Sequence, residues 1–424
     1  MNDGKLDIII TANSPGEVAA WLTPSLKALN EILPQAEFTV FIPPCPFASG
    51  REEAIVAALP GVRRIFDRKQ LLLFILAGRN LPDFTPGSKG AVLFLGGDLI
   101  YAVLLARRLG YPAFAYTEGR VQWQNHFSGF FLPHEQAKNQ AVKAGGESEK
   151  LHVVGNLMLD AVNLKWPRKS FLNTLRLDEH QPLIGLFAGS RPYEIKHILP
   201  MLLGSAEIIA RDLKTVQFAV GLSPFVTEEQ LTESLESASD ILGGVGGELK
   251  DITPDNVLGR IWNLKTWSGL ELSCVQGWQY DLMAAARLAI TIPGSNTAEM
   301  AALGLPMVVI TPLNKPELIP LQGIPGLVGS LPLIGKQLKR KAVLAYAERV
   351  QFTSQPNRWA QKEIVPELRG ELRPEDVAVA VGDLMRKPEK LESMSRHLKQ
   401  IMGKPGAART MALIIKTALE QHPV

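Results

Sequence analysis

The feature that most constrains this chain is a series of short apolar runs alternating with helical patterns, and the series occurs twice. Leu6–Thr11, Phe38–Ile42, Ala91–Leu95, Pro112–Tyr116 and Gly129–Leu132 read as strands, and Val153-Val154-Gly155 closes the series. Ala19, Leu22, Leu26 and Leu29 recur at helical spacing after the first strand. A polar, proline-bearing stretch follows, Lys165-Trp166-Pro167-Arg168-Lys169. A second series then runs through Leu183–Phe187, Gln217–Val220, Glu271–Val275, Leu288–Ile292 and Met307–Ile310. Such alternation specifies parallel α/β architecture. At about 150 residues per domain, 424 residues make two or three domains. The expected organisation is a Rossmann-like, doubly wound unit at 1–165, a second at 170–375, and C-terminal helices at 376–424 packing back toward the first. Two such units facing a central cleft would hold a ligand at the carboxyl ends of their strands.

Composition narrows the class further. Apolar residues make up 46% and charged residues 21%, which excludes bulk disorder and coiled coil. A net charge of +3 is too mild to imply nucleic acid. Cys45 and Cys274 are the only cysteines, so neither a disulfide framework nor a cysteine-rich zinc site is expected, and a reducing compartment is. The opening residues lack a secretory-signal pattern. No apolar run reaches the ~18–20 residues of a membrane span. The nearest, Ala91–Ala106, is broken by Gly96-Gly97-Asp98. The seven histidines show no metal spacing, and no Gly-x-Ser-x-Gly elbow occurs. Ser237–Asp255 and Gly323–Pro332 read as glycine-rich insertions or loops.

Four loops at strand ends could carry chemistry. Ala12-Asn13-Ser14-Pro15-Gly16-Glu17 follows the first strand. Glu17 is there either for a ligand or to complement a helix N-terminus. Asp98, after Gly96-Gly97, sits where a general base would sit, and equally where a helix N-cap would. Gly189-Ser190-Arg191 could offer amides, a hydroxyl and a guanidinium to a diphosphate, or could be a turn with a surface arginine. Gly294-Ser295-Asn296-Thr297 could hold phosphate at a helix start, with Glu299 one turn on accepting from ribose hydroxyls. Asn296 and Glu299 also fit a capping box. A fifth segment is different in kind. Arg63, Arg64, Arg68 and Lys69 precede the apolar run Leu71–Ala77, which includes Leu72 and Phe74. That pattern fits either a helix lying on an anionic bilayer or a core helix with a solvated basic turn.

Taken in order, these loops resemble the lipid-A-disaccharide synthase family of GT-B glycosyltransferases. The resemblance runs from about Leu6 to Arg373 and includes Phe131-Leu132-Pro133-His134-Glu135, Val154-Gly155-Asn156, Gly189-Ser190-Arg191 with Glu194, Gly294–Glu299, and Ser354-Gln355-Pro356-Asn357. Departures are Ala188 where the family has proline, Asn156 where it has histidine, the two insertions (Ser237–Asp255 and Lys315–Pro332), and the unfamiliar Thr117-Glu118-Gly119-Arg120-Val121-Gln122-Trp123. The resemblance implies inverting transfer of a sugar from a nucleotide donor, UDP-linked, to a lipid-borne acceptor in glycolipid biosynthesis, with neither cofactor nor metal. It makes 1–165 the acceptor domain and 170–375 the donor domain. It casts Asp98 as base and puts Glu17 on the acceptor side. Gly189, Ser190, Arg191, Gly294, Ser295, Asn296, Thr297, Glu299 and Asn357 then form the donor site. A lipid acceptor would make Arg63, Arg64, Arg68, Lys69, Leu72 and Phe74 a membrane-docking patch, on a cytoplasmic protein held peripherally at the inner face of a membrane. A nucleotide-sugar epimerase of the same fold and a non-catalytic membrane- or partner-binding scaffold are the alternatives.

Overall fold

A computed structural model describes residues 2–44, 52–237, 242–252, 259–316 and 335–421. Cys45, the Gly323–Pro332 loop and parts of the Ser237–Asp255 and Lys315–Pro332 stretches lie outside the described residues. Two compact units are present, Met1–Ala161 with Gly403–Val424, and Val162–Met402.

The first unit is a seven-stranded parallel sheet. Its strands are β1 (Asn2–Thr11), β2 (Ala36–Phe41), β3 (Val62–Phe66), β4 (Gly87–Phe94), β5 (Ala113–Tyr116), β6 (Gly129–Leu132) and β7 (Leu151–Val153), in the order β3-β2-β1-β4-β5-β6-β7. Ile8, Ile9 and Ile10 of β1 are all buried, as expected of a parallel strand covered on both faces. The chain crosses from one side of β1 to the other, because β2 and β4 flank it.

The second unit has eight strands. Five are parallel neighbours of a core: β8 (Leu183–Phe187), β9 (Gln217–Leu222), β12 (Glu271–Gln276), β13 (Leu288–Thr291) and β14 (Met307–Pro312). β15 (Glu367–Gly370) extends them in parallel. β10 (Gly247–Ile252) and β11 (Arg260–Thr266) add an antiparallel edge. The order is β10-β11-β12-β9-β8-β13-β14-β15. Here β8 is the strand flanked by crossovers in opposite directions. Part of the Ser237–Asp255 stretch, expected as a glycine-rich insertion, is instead strand β10.

The C-terminal helices divide between the units. Helix Pro374–Met385 packs on the long helix Pro192–Asp212, and Pro388–Met402 packs on Ser295–Leu303, all in the second unit. Only Ala407–Gln421 packs in the first, against Thr23–Ile32. Asp160 fixes its start by accepting from the amides of Gly406 (2.5 Å) and Ala408 (2.7 Å).

The basic and apolar segment folds differently from an interfacial helix. Arg63 and Arg64 belong to strand β3, and the helix starts only at Arg68 and ends at Ile75. Asp67 caps it by accepting from the Gln70 amide at 2.7 Å. Leu71 and Phe74 are buried, with Phe74 against Phe41 and Phe84. Arg64 is held by Glu37 at 2.6 Å and donates to the Asp83 carbonyl. Phe74 and Arg64 are thus committed to the unit's interior and edge. Arg63, Arg68 and Lys69 are exposed, Leu72 is partly buried, and Leu76, one residue past the helix, is 70% exposed.

Candidate active site

In each unit the crossover point brings two loops together at the carboxyl ends of neighbouring strands, the place where open α/β sheets bind ligands. In the first unit the loops follow β1 and β4. In the second they follow β8 and β13.

The β1 loop leads into a helical run whose segment Val18–Leu22 is a π-helix, a widened turn frequent at functional sites. Glu17 bends back over its own loop. Its Oε2 accepts from the amides of Asn13 (3.3 Å) and Ser14 (3.1 Å), while its own amide donates to Ser14 Oγ at 3.3 Å. Burial pushes the Glu17 carboxyl above its usual value, and the loop amides oppose that rise. The carboxylate also lies against Gly96, where an added Cβ would fall 2.0 Å from Oε2. The Gly97 amide also donates to this carboxylate, so Glu17 braces the β1 and β4 loops together. Asp98 follows on the same loop. It is exposed and caps helix Leu99–Leu109 by accepting from the Ile100 amide at 3.0 Å. Only one of its oxygens is drawn into that cap, so the other can take a proton from a ligand.

The second unit repeats the brace. Glu194 Oε2 accepts from the amides of Ser190 (2.8 Å) and Arg191 (3.0 Å), the same i+4 and i+3 pattern as Glu17. Its Oε1 takes Arg191 Nη1 (3.2 Å) and the Tyr193 hydroxyl (2.9 Å). Gly189 has φ of +107°, and a Cβ there would meet Glu194 Oε2 at 2.2 Å. The amides of Ser190 and Arg191, expected to face a diphosphate, are thus occupied by Glu194. What the loop presents is the Ser190 hydroxyl and the Arg191 guanidinium, the latter about one-third exposed.

The β13 loop starts helix Ser295–Leu303 with Gly294, not Asn296, at its N-cap. The Asn296–Glu299 capping box is therefore not formed. Ser295 and Asn296 head the helix, partly exposed. Thr297 is turned inward: its hydroxyl donates to Gly294 O (2.8 Å) and accepts from the Gln355 amide (3.2 Å). It is fully buried and offers no donor to a ligand. Glu299 is buried too, with the Tyr280 hydroxyl at 3.5 Å. Burial raises its carboxyl to about 7.

Asn357 is a structural clamp. Its Nδ2 donates to Val365 O and Glu367 Oε1, both at 2.8 Å, and its Oδ1 accepts from the amides of Ile364 (2.6 Å) and Val365 (3.0 Å). Two donors and two acceptor sites are the whole inventory of the group, so nothing remains for a nucleotide. Glu367 is the hub beside it. Burial opposes its ionisation, yet hydrogen bonds from Thr353 and Ser354 hold its carboxyl below the usual range. The Ser-Gln-Pro-Asn stretch thus joins helix Gln355–Ala360 to β15.

Reading the sequence did not assign roles to Glu194, Tyr193, Tyr280 or Gly96. The spacing that could have revealed the first was present: Glu17 and Glu194 each follow a small-residue loop that leaves a central strand. Among the described residues, no group of three or more His, Cys, Asp and Glu side chains could hold a metal, and no helix is long and apolar enough to cross a membrane.

Two Rossmann-like units define a protein of the GT-B fold. Solved structures similar over their whole length include a putative UDP-N-acetylglucosamine 2-epimerase from Listeria monocytogenes (TM-score 0.56, 16% identity, 99% of this chain and 98% of that one). Another is the UDP-GlcNAc 2-epimerase from Neisseria meningitidis bound to UDP-GlcNAc (TM-score 0.56, 15% identity, 99% and 100%). A family model described as lipid-A-disaccharide synthetase matches residues 125–242. The chain is 26% identical over 273 residues to the lipid-A-disaccharide synthase of Trichlorobacter lovleyi, covering 63% of this chain and 57% of that one. It is 23% identical over 429 residues to that of Neisseria meningitidis serogroup B, covering 95% and 94%. The chain is thus similar at low identity to the lipid-A-disaccharide synthases, and its match spans 57% of the length of the first of these relatives.

Proposed function

We propose that the chain is an inverting glycosyltransferase that moves a sugar from a UDP-linked donor to a lipid-borne acceptor. The observation that carries this reading is the contrast between two equivalent points of two similar units. One presents an exposed carboxylate, Asp98, on a braced glycine loop. The other presents Arg191, the helix start at Ser295 and Asn296, and the buried Glu299.

On this reading Asp98 takes the proton from the acceptor hydroxyl as its oxygen attacks the anomeric carbon. The C–O bond to the diphosphate breaks on the opposite face, through an oxocarbenium-like transition state. Negative charge grows on the departing diphosphate. Arg191, the Ser190 hydroxyl and the amides of Ser295 and Asn296 stabilise it, with Gly189 and Gly294 allowing close approach. Glu299 accepts from the ribose hydroxyls. Glu17 acts as a brace for the Asp98 loop. The Neisseria meningitidis structure with bound UDP-GlcNAc supports a uridine nucleotide as the first ligand to try. The exposed Arg63, Arg68 and Lys69, with Leu72 and Leu76, form the face for reversible contact with an anionic membrane.

Calorimetric titration of UDP and UDP-sugars into wild type and Glu299→Ala tests the donor half. Micromolar binding that falls at least about tenfold in the variant is expected. Absence of binding by any UDP compound to folded wild type would overturn it. Flotation with anionic vesicles tests the surface: changing Arg63, Arg68 and Lys69 to Glu should abolish it, and unchanged flotation would remove the patch.

A further inference from the structure

Residues 118–126 leave the carboxyl end of β5, the strand beside β4, so they emerge on the same end of the sheet as Asp98. Their backbone is held from both sides. Val121 packs against the core, and Phe127 is buried against Phe130 with ring centroids 4.9 Å apart. Between these anchors Trp123 is 50% exposed. Its φ of +58° lies in the left-handed region, which bulky residues rarely adopt. The His126 amide closes the turn onto Trp123 O at 2.9 Å. A half-exposed indole in a disfavoured backbone conformation, with fixed anchors on either side, is an arrangement the free chain does not need. Around it stand Gln122, Asn125 and His126, all exposed and all able to hydrogen-bond hydroxyls. Arg120 Nη2 reaches Gly97 O at 3.4 Å, tying the segment to the residue before Asp98.

We propose that segment 118–126 is the platform on which the sugar ring of the acceptor docks, with Trp123 stacked on one pyranose face and Arg120 fixing the platform against the Asp98 loop. An aromatic plate with hydrogen-bonding amides beside it matches a pyranose, which is apolar on the face of its axial C–H groups and polar at its rim. This assignment rests on the glycosyltransferase reading for the word acceptor. The platform itself is tested without turnover.

The probe is n-octyl β-D-glucopyranoside, kept below its micelle-forming concentration and observed by saturation-transfer NMR on the full-length protein. Wild type is expected to saturate H1, H3 and H5, the axial protons of one ring face. Trp123→Ala should weaken binding about tenfold, and Trp123→Phe, which keeps a ring, should stay within about threefold of wild type. The affinity for UDP should be equal in all three proteins. The proposal is overturned if Trp123→Ala binds the glucoside as wild type does, if transfer reaches only the octyl chain, or if wild type shows none. Should UDP fail to bind wild type while the ring-face signal depends on Trp123, the transferase reading falls and the sugar platform stands.

Discussion

Glu299 gives the sharpest quantitative expectation. Its carboxyl is buried with one hydroxyl at 3.5 Å, and burial raises it from 4.5 to about 7. An acid whose value is raised by folding keeps its proton in the native state over a range where the unfolded chain has lost it. Stability therefore falls as pH rises from about 4.5 to about 7, and is flat beyond. At 1.36 kcal/mol per unit, the loss across that window is roughly 3 kcal/mol. Glu299→Gln is neutral throughout and removes this slope, so its own packing cost enters as a constant offset. The assay is urea unfolding of both proteins at a series of pH values from 4.5 to 8.5. Tryptophan fluorescence suits it, because Trp166, Trp262, Trp267, Trp278 and Trp359 all lie in the second unit. The difference between the two proteins should shift by roughly 3 kcal/mol in favour of the glutamine variant as pH rises. A difference that stays level with pH would refute the reasoning, since the carboxylate would then ionise without penalty. If ribose hydroxyls donate to the ionised form, UDP binding below pH 7 should also release a proton, visible in buffers of different ionisation enthalpy.

Glu194→Ala should expose the amides of Ser190 and Arg191, raising their hydrogen-exchange rates by an order of magnitude or more; unchanged protection would remove the brace. Asn357→Ala should destabilise the second unit by about 3 kcal/mol, because two buried amides and a carbonyl lose their partner. Its UDP affinity, measured where the protein is still folded, should match wild type, and a selective loss of affinity would restore Asn357 to the donor site. Asp98→Asn keeps the helix cap but removes the base, so turnover should drop at least about a hundredfold while substrate affinity holds. Full activity in that variant would exclude Asp98 as the base.

The central strands were legible because parallel strands covered on both faces are apolar in near-continuous runs, as Leu183–Phe187 and Leu288–Ile290 are. The edges were not. β3 reads Val-Arg-Arg-Ile-Phe, and an edge strand can carry arginines because one side faces solvent and Glu37. β10 lies in a glycine-rich stretch and, among the described residues, pairs with its hairpin partner β11 at the sheet edge. The run Leu71–Ala77 was ambiguous for a different reason. Seven apolar residues in a row carry no periodicity, so only packing decides that Leu71 and Phe74 go inward while Leu76 stays out. The loops at the strand ends are legible in the sequence, but the direction of a side chain is not. Asn357 and Thr297 have the right chemistry for a ligand and turn it on the backbone instead. Glu194 was visible as a residue, and its use as a brace appears only when its four hydrogen bonds are seen together.

The most direct test of the account is transfer itself. Wild type is incubated with tritium-labelled UDP-sugars and a total lipid extract from the cells that make the protein, and the label is partitioned between water and organic solvent. The account predicts label in the organic phase with wild type and background with Asp98→Asn. Label that stays in water, either as unchanged donor or as its epimer, would contradict it.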